Sequence, residues 1–172
     1  MEEEDEIWTD LYGGRRVTKD SLRVELCGDL DEANSALGIA RATARNKTVS
    51  NVIYKIQKEL FIVGAECATP IEYLHKLPKK VTQSNIASLM RLYEEIKGSV
   101  APVKGFVTPG DLFSSANLHL ARTIIRRAER VAVKLRREGQ LSREIVIYLN
   151  ILSDLIFYLA IFEETGKKIE TI

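Results

Sequence analysis

The chain has 172 residues, 45% of them hydrophobic, enough for one domain that buries about two thirds of its unfolded surface without covalent staples. Lysine plus arginine number 25 against 24 aspartate plus glutamate, a formal net charge of +1. That balance excludes the global basic excess of a nucleic-acid-binding domain and makes any anion site a local one. Cys27 and Cys67 have neither CxxC spacing nor a cysteine-rich context, so they read as free thiols in a reducing compartment.

Met1 to Glu6 is almost entirely acidic, the opposite of a secretory signal, and a cytoplasmic protein is expected. Tyr12 to Ser21 is turn-rich and basic and reads as an ordered loop or tail. Asp29 with Glu32 three residues on has the acid-first form of a capping box, so a first helix is predicted to start near Asp29 and to continue through Ala33, Leu37, Ala40 and Ala44. Val52, Ile53, Ile56, Leu60 and Val63 predict a second helix over 49–67, stopped before Pro70. The stretch to Lys80 reads as a surface connection. Its Glu72-x-x-His75 spacing is half of a di-iron carboxylate motif, but such sites need two long core helices and partner glutamates, so no resident metal is expected.

Thr82 is placed to cap a third helix, with Ile86, Leu89, Met90, Tyr93 and Ile96 on its apolar face and Gly98 as its stop. Residues 99–113 form a loop too long for a mere connector, with Phe106 at its middle. A fourth helix follows, ended by Gly139. Leu118, Ala121, Ile125, Ala128, Ala132 and Leu135 line one of its faces, while Arg122, Arg126 and Glu129 project one turn apart beside that seam. Like charges at that spacing repel by about 0.2–0.5 kcal/mol, and a bound polyanion reverses the sign. The stripe is either a solvated basic face or a phosphate clamp built from guanidinium forks. His119, near the start of this helix, reads as a core or capping residue. Ser142 opens a fifth helix that Gly166 closes. Asn150 and Asp154 break its apolar pattern one turn apart, as members of a structural network or as ligand contacts. The same breaks argue against a membrane span. No strand alternation is evident, and the chain reads as an all-α, five-helix antiparallel bundle over 1–172, with residues 1–22 as tail and loop and about 23–166 as the bundle.

Taken together, five ordered stretches resemble the PduO-type cobalamin adenosyltransferases. They are Arg15-Arg16-Val17-Thr18-Lys19-Asp20-Ser21, Gly28-Asp29-Leu30-Asp31-Glu32-Ala33-Asn34-Ser35, Phe106-Val107-Thr108-Pro109-Gly110, Arg122-Thr123 through Arg126-Arg127-Ala128-Glu129-Arg130, and Tyr148-Leu149-Asn150 with Ser153-Asp154. The resemblance implies a ferritin-like bundle that assembles as a homotrimer, with ATP and a corrinoid meeting at subunit interfaces. It implies that Arg15 and Lys19 belong to the ATP loop and that Lys19 grips phosphate. It further implies that Arg122 pairs with Asp31 of a neighbouring subunit, that Arg126, Glu129 and Asn150 hold ATP, and that Phe106 walls the lower face of the corrin. Mg2+ accompanies ATP, and a reductase or a B12-dependent enzyme is an expected partner.

Co(I) is itself a strong nucleophile, so such an enzyme needs no serine, cysteine or histidine triad, only placement and charge stabilisation of a triphosphate leaving group. The family usually opens with a glycine-containing phosphate loop. Here that region reads Glu4-Asp5-Glu6-Ile7-Trp8-Thr9, without the glycines. A second class therefore stands beside the enzyme: a corrinoid-binding or regulatory bundle that transfers nothing. A helical adapter using Arg15 and Arg16 to bind nucleic acid is the third and least supported.

Overall fold

The computed structural model describes residues 6–165. Two three-residue strands, β1 (Trp8–Asp10) and β2 (Arg16–Thr18), pair antiparallel with Thr9 opposite Val17. Five long helices follow: α1 (Leu22–Thr43), α2 (Lys47–Cys67), α3 (Gln83–Gly98), α4 (Phe113–Arg137) and α5 (Arg143–Thr165), with a 3-10 turn over Ile71–Lys76 between α2 and α3. The molecule is thus mostly helical, and the strandless expectation is corrected by the small hairpin. Strands of three residues are too short to display an alternation.

The helix starts follow local chemistry. The Asn46 side chain accepts from the backbone N–H of Thr48 at 2.9 Å to cap α2, and Thr82 with Asn85 forms a reciprocal capping box on α3. Beyond the end of α4, Gly139 takes a φ of +72°, and the N–H of Gln140 returns to the Leu135 carbonyl at 2.9 Å. The first helix departs from expectation. It starts at Leu22 with Ser21 as its N-cap, a full two turns before Asp29. Asp29 and Glu32 do not cap anything; both accept hydrogen bonds from Arg127 on α4, with Arg127 Nε 2.8 Å from Asp29 Oδ1. An acid pair three apart suits a helix start and a cross-helix ion pair equally well.

Helix α4 packs on α1 and α5, α3 on α5, and α2 on α1 and, less extensively, α5. The core they enclose includes every residue of the predicted α4 seam. Helix α5 is long and apolar enough to cross a membrane, yet 67% of its most apolar window is buried inside the protein, with Tyr148 and Phe162 among the largest fully buried side chains. Gly166, its expected stop, lies outside the described residues.

Buried polar side chains fasten the ends. Arg23, only 6% exposed, donates to the carbonyls of Cys67 (2.5 Å), Thr69 (3.1 Å) and Gln140 (2.5 Å), tying the start of α1 to two interhelical connections. Glu66 accepts from the Val81 N–H and the Ser142 hydroxyl. Glu163 accepts from the N–H groups of Arg45 and Asn46 and from the Ser114 hydroxyl, while Glu164 accepts from Ser115. The hairpin rests on the 3-10 turn. Tyr12 N–H reaches the Ala68 carbonyl at 3.1 Å, Arg15 pairs with Glu72 at 3.1 Å, and a Cβ on Gly13 would come within 2.8 Å of the Tyr73 ring. Gly13 also holds a φ of +92°, a conformation that favours glycine.

Candidate active site

Helix α4 places Arg126, half-buried Glu129, Arg130 and Val133 along one stripe, and α5 brings Asn150 against it; together they line an open cavity of about 320 Å³. Asn150 Nδ2 donates to Glu129 Oε1 at 3.1 Å, which orients both side chains. One nitrogen of Arg130 donates to the Arg126 carbonyl at 3.0 Å, so this guanidinium is held back along its own helix. Arg126 engages no carboxylate among the described residues. The cavity therefore presents two guanidinium groups, a carboxylate and an amide, a set that meets phosphate oxygens on one side and hydroxyl or amine donors on the other.

Arg122 is half-buried and faces a different neighbour. Its guanidinium carbon lies 5.9 Å from the centre of the Phe157 ring on α5, and its Nε is buried without an acceptor. Burial pulls its pKa down, the like charge of Arg126 adds to that, and Asp154 opposes it. The cost of a partly desolvated cation is met only in part by one carboxylate.

The remaining predicted residues are dispersed within the chain. Asp31 is exposed on α1 and makes no ion pair with Arg122 among the described residues. Phe106 is fully exposed in the 99–112 loop. A lone loop aromatic is ordinarily packed on the core, and this one is not. Arg15 is engaged by Glu72, and Lys19 follows β2, its backbone N–H held by the Ile7 carbonyl at 2.8 Å. Glu4 and Asp5 lie outside the described residues, whereas Trp8 and Thr9 belong to β1. The Glu72-x-x-His75 spacing closes on itself, with His75 Nδ1 2.9 Å from the Glu72 carbonyl oxygen, and no group of three or more potential metal ligands occurs among the described residues.

Sequence reasoning passed over Arg130 and Phe157 as site residues. Arg130 is one turn beyond Arg126, and Phe157 is two turns beyond Asn150, so helical spacing from the named residues was the available signal.

The cobalamin adenosyltransferase family profile matches residues 1–163. A corrinoid adenosyltransferase from Citrobacter freundii is 39% identical over 157 residues, 91% of this chain and 89% of that protein. Another, from Mycobacterium tuberculosis, is 40% identical over 161 residues, covering 91% and 83% of the two chains. Among solved structures, an alanine-for-phenylalanine variant of the PduO-type ATP:corrinoid adenosyltransferase from Lactobacillus reuteri, complexed with cobalamin and ATP, superposes with a TM-score of 0.81 at 32% identity, over 93% of this chain and 90% of that one. A lysine-for-arginine variant of the same enzyme, complexed with ATP, gives a TM-score of 0.81 at 33% identity, again over 93% and 90%. With its helices in that arrangement and its profile match running from the first residue to the last turns of α5, the chain belongs to the cobalamin adenosyltransferase family.

Proposed function

We propose that this protein transfers the 5′-deoxyadenosyl group of ATP to the Co(I) centre of a reduced corrinoid, with triphosphate as the second product. The convergence of Arg126, Arg130, Glu129 and Asn150 on one cavity carries the reading at the residue level. In the transfer, the cobalt electron pair forms the bond to the ribose 5′ carbon while the bond from that carbon to the phosphate oxygen breaks, its electrons leaving with triphosphate. The chain's own part is to hold the nucleotide in line and to meet the charge that grows on the leaving group. Arg126 and the Lys19 end of the hairpin are assigned to that charge, and Glu129 and Asn150 to nucleotide orientation. Mg2+ accompanies ATP and adds to the same stabilisation.

Two groups that the chain leaves apart fit an assembly. Asp31 is exposed and Arg122 is a poorly compensated cation, and a homotrimer that pairs them across subunits satisfies both. The single 1–172 domain is then a five-helix antiparallel bundle whose Phe106 loop covers the corrin's lower face, excluding water and axial bases so that cobalt is more easily reduced. Cytoplasmic residence, with a reductase or a B12-dependent enzyme as neighbour, goes with this chemistry.

One observation favours the second reading. Thr9 lies in a paired strand, where the family's phosphate loop approaches its ligand, and the glycines are absent. The deciding assay is anaerobic: protein, chemically reduced cobalamin and Mg-ATP, followed by visible spectroscopy. Protein-dependent, light-sensitive adenosylcobalamin with triphosphate release is expected. No product together with no ATP binding would leave a corrinoid-binding or regulatory bundle.

A further inference from the structure

His119 lies one turn before Arg122 on α4 and is 3% exposed, and both of its ring nitrogens are buried without a hydrogen-bond partner. A buried imidazole with neither nitrogen satisfied is unfavourable for stability, and a leucine in the same apolar surroundings carries no such penalty. The ring's contacts point to a different use. His119 meets the Phe157 ring in a T-shaped arrangement, with centroids 5.9 Å apart and planes at 66°. The same Phe157 ring carries the Arg122 guanidinium, also at 5.9 Å. Phe157 also meets Tyr158, which meets Tyr93 of α3, so the platform is braced across three helices and His119 is its α4 abutment.

We infer that His119 is a positioning residue for adenosyl transfer: as a neutral ring it fixes the Phe157 platform under Arg122, and on gaining a proton it dislodges that guanidinium. The inference rests on the transfer reading above. The charged and titratable groups around the ring support the direction. On α4 itself stand the cations Arg122 and Arg126. Helix α5 contributes Glu164, held by the Ser115 hydroxyl, together with Asp154 and Tyr158. Helix α3 contributes Tyr93 and Lys97 behind Tyr158, and the α1 carboxylates Asp29 and Glu32 are occupied by Arg127. Burial first, then Arg122, lowers the His119 pKa from its ordinary 6.5, with Glu164 opposing, so the ring is neutral at pH 7. Protonation then sets a second cation beside one already short of compensation.

The test uses the fact that the chain has two histidines. In the full-length His75→Gln protein, the remaining imidazole signal in an NMR titration is that of His119. Transfer rates from chemically reduced cobalamin and Mg-ATP are measured across the same pH range for this protein and for His119→Gln. Identical reductant and cobalamin in both make the solution chemistry common to the two profiles. The acid limb of the rate is expected to coincide with the His119 titration. His119→Gln is expected to lose that limb, with kcat roughly tenfold lower on the alkaline side and KM for ATP unchanged. A retained limb in His119→Gln, or a His119 that is protonated at pH 7, overturns the inference while leaving the transfer reading intact. If His119→Gln does not fold, the coincidence or mismatch of rate and titration in His75→Gln decides alone. Absence of transfer by the unsubstituted protein at every pH overturns both.

Discussion

Arg126 and Phe106 are separable by experiment because each side chain touches so little else in the chain. Arg126→Ala removes an exposed side chain that pairs with no carboxylate among the described residues, so the expected stability change is within about 0.5 kcal/mol. Transfer, on the proposed role, falls by roughly a hundredfold or more; undiminished turnover in a folded variant would remove the assignment. Phe106→Ala likewise leaves the melting temperature in place, since the ring is fully exposed, and is expected to bind ATP normally while transferring poorly from Co(II) under reduction. Equal loss of ATP binding would show the ring to be misassigned. The thiols give a third test. Burial raises the Cys67 pKa well above its ordinary value, so alkylation at neutral pH should require unfolding and report on global stability. Much of the polar cavity was legible residue by residue, because Arg126, Glu129 and Asn150 stand out against apolar seams. The stacking of Arg122 on Phe157 was not, because which of two neighbouring guanidiniums turns inward depends on a ring from another helix.

At the level of elements, α1 shows how local signals compete. Asp29 and Glu32 obey a capping rule and yet lie mid-helix, and the decision falls to the seven residues before them, Leu22 to Gly28, which continue the helix toward the hairpin. Their anchor is Arg23. Arg23→Ala deletes three hydrogen bonds to carbonyls, two of them buried, and should destabilise the chain by about 3 kcal/mol, read as a lowered denaturation midpoint with an unchanged slope. Arg127→Ala is expected to cost about 1 kcal/mol or less for its exposed contact to Glu32, the arginine being 43% exposed, but it also strands the nearly buried Asp29. Double substitution of Arg127 and Asp29 by alanine and asparagine should therefore be milder than the arginine change alone. The other four helices were readable to within a few residues because their apolar spacing, caps and stops are local: Thr82 and Gly139 each act on their own turn.

For the whole molecule, the proposed trimer makes activity depend on assembly. Asp31→Ala should leave the helical spectrum of the subunit unchanged while weakening transfer, and sedimentation of the unsubstituted protein should show three chains; a monomer with full turnover at nanomolar dilution would contradict the shared site. The mostly helical architecture was legible because a helical core is written as one apolar face after another, whereas the proposed pairing of subunits rests on Asp31 and Arg122, charges that look solvent-facing in a single sequence.

The fit of Gly13 against Tyr73 sets a tolerance on this arrangement. The hairpin lies so close to the 3-10 turn that a methyl group added at Gly13 makes either the hairpin or the Tyr73 ring shift, and Lys19 is anchored to the Ile7 carbonyl at the other end of the same hairpin. On the proposed role of Lys19 in meeting phosphate, the nucleotide end of the hairpin is therefore calibrated by a hydrogen atom. With that role, a drift of this small surface turn would misalign phosphate with the basic helix, some way from any residue proposed to meet substrate.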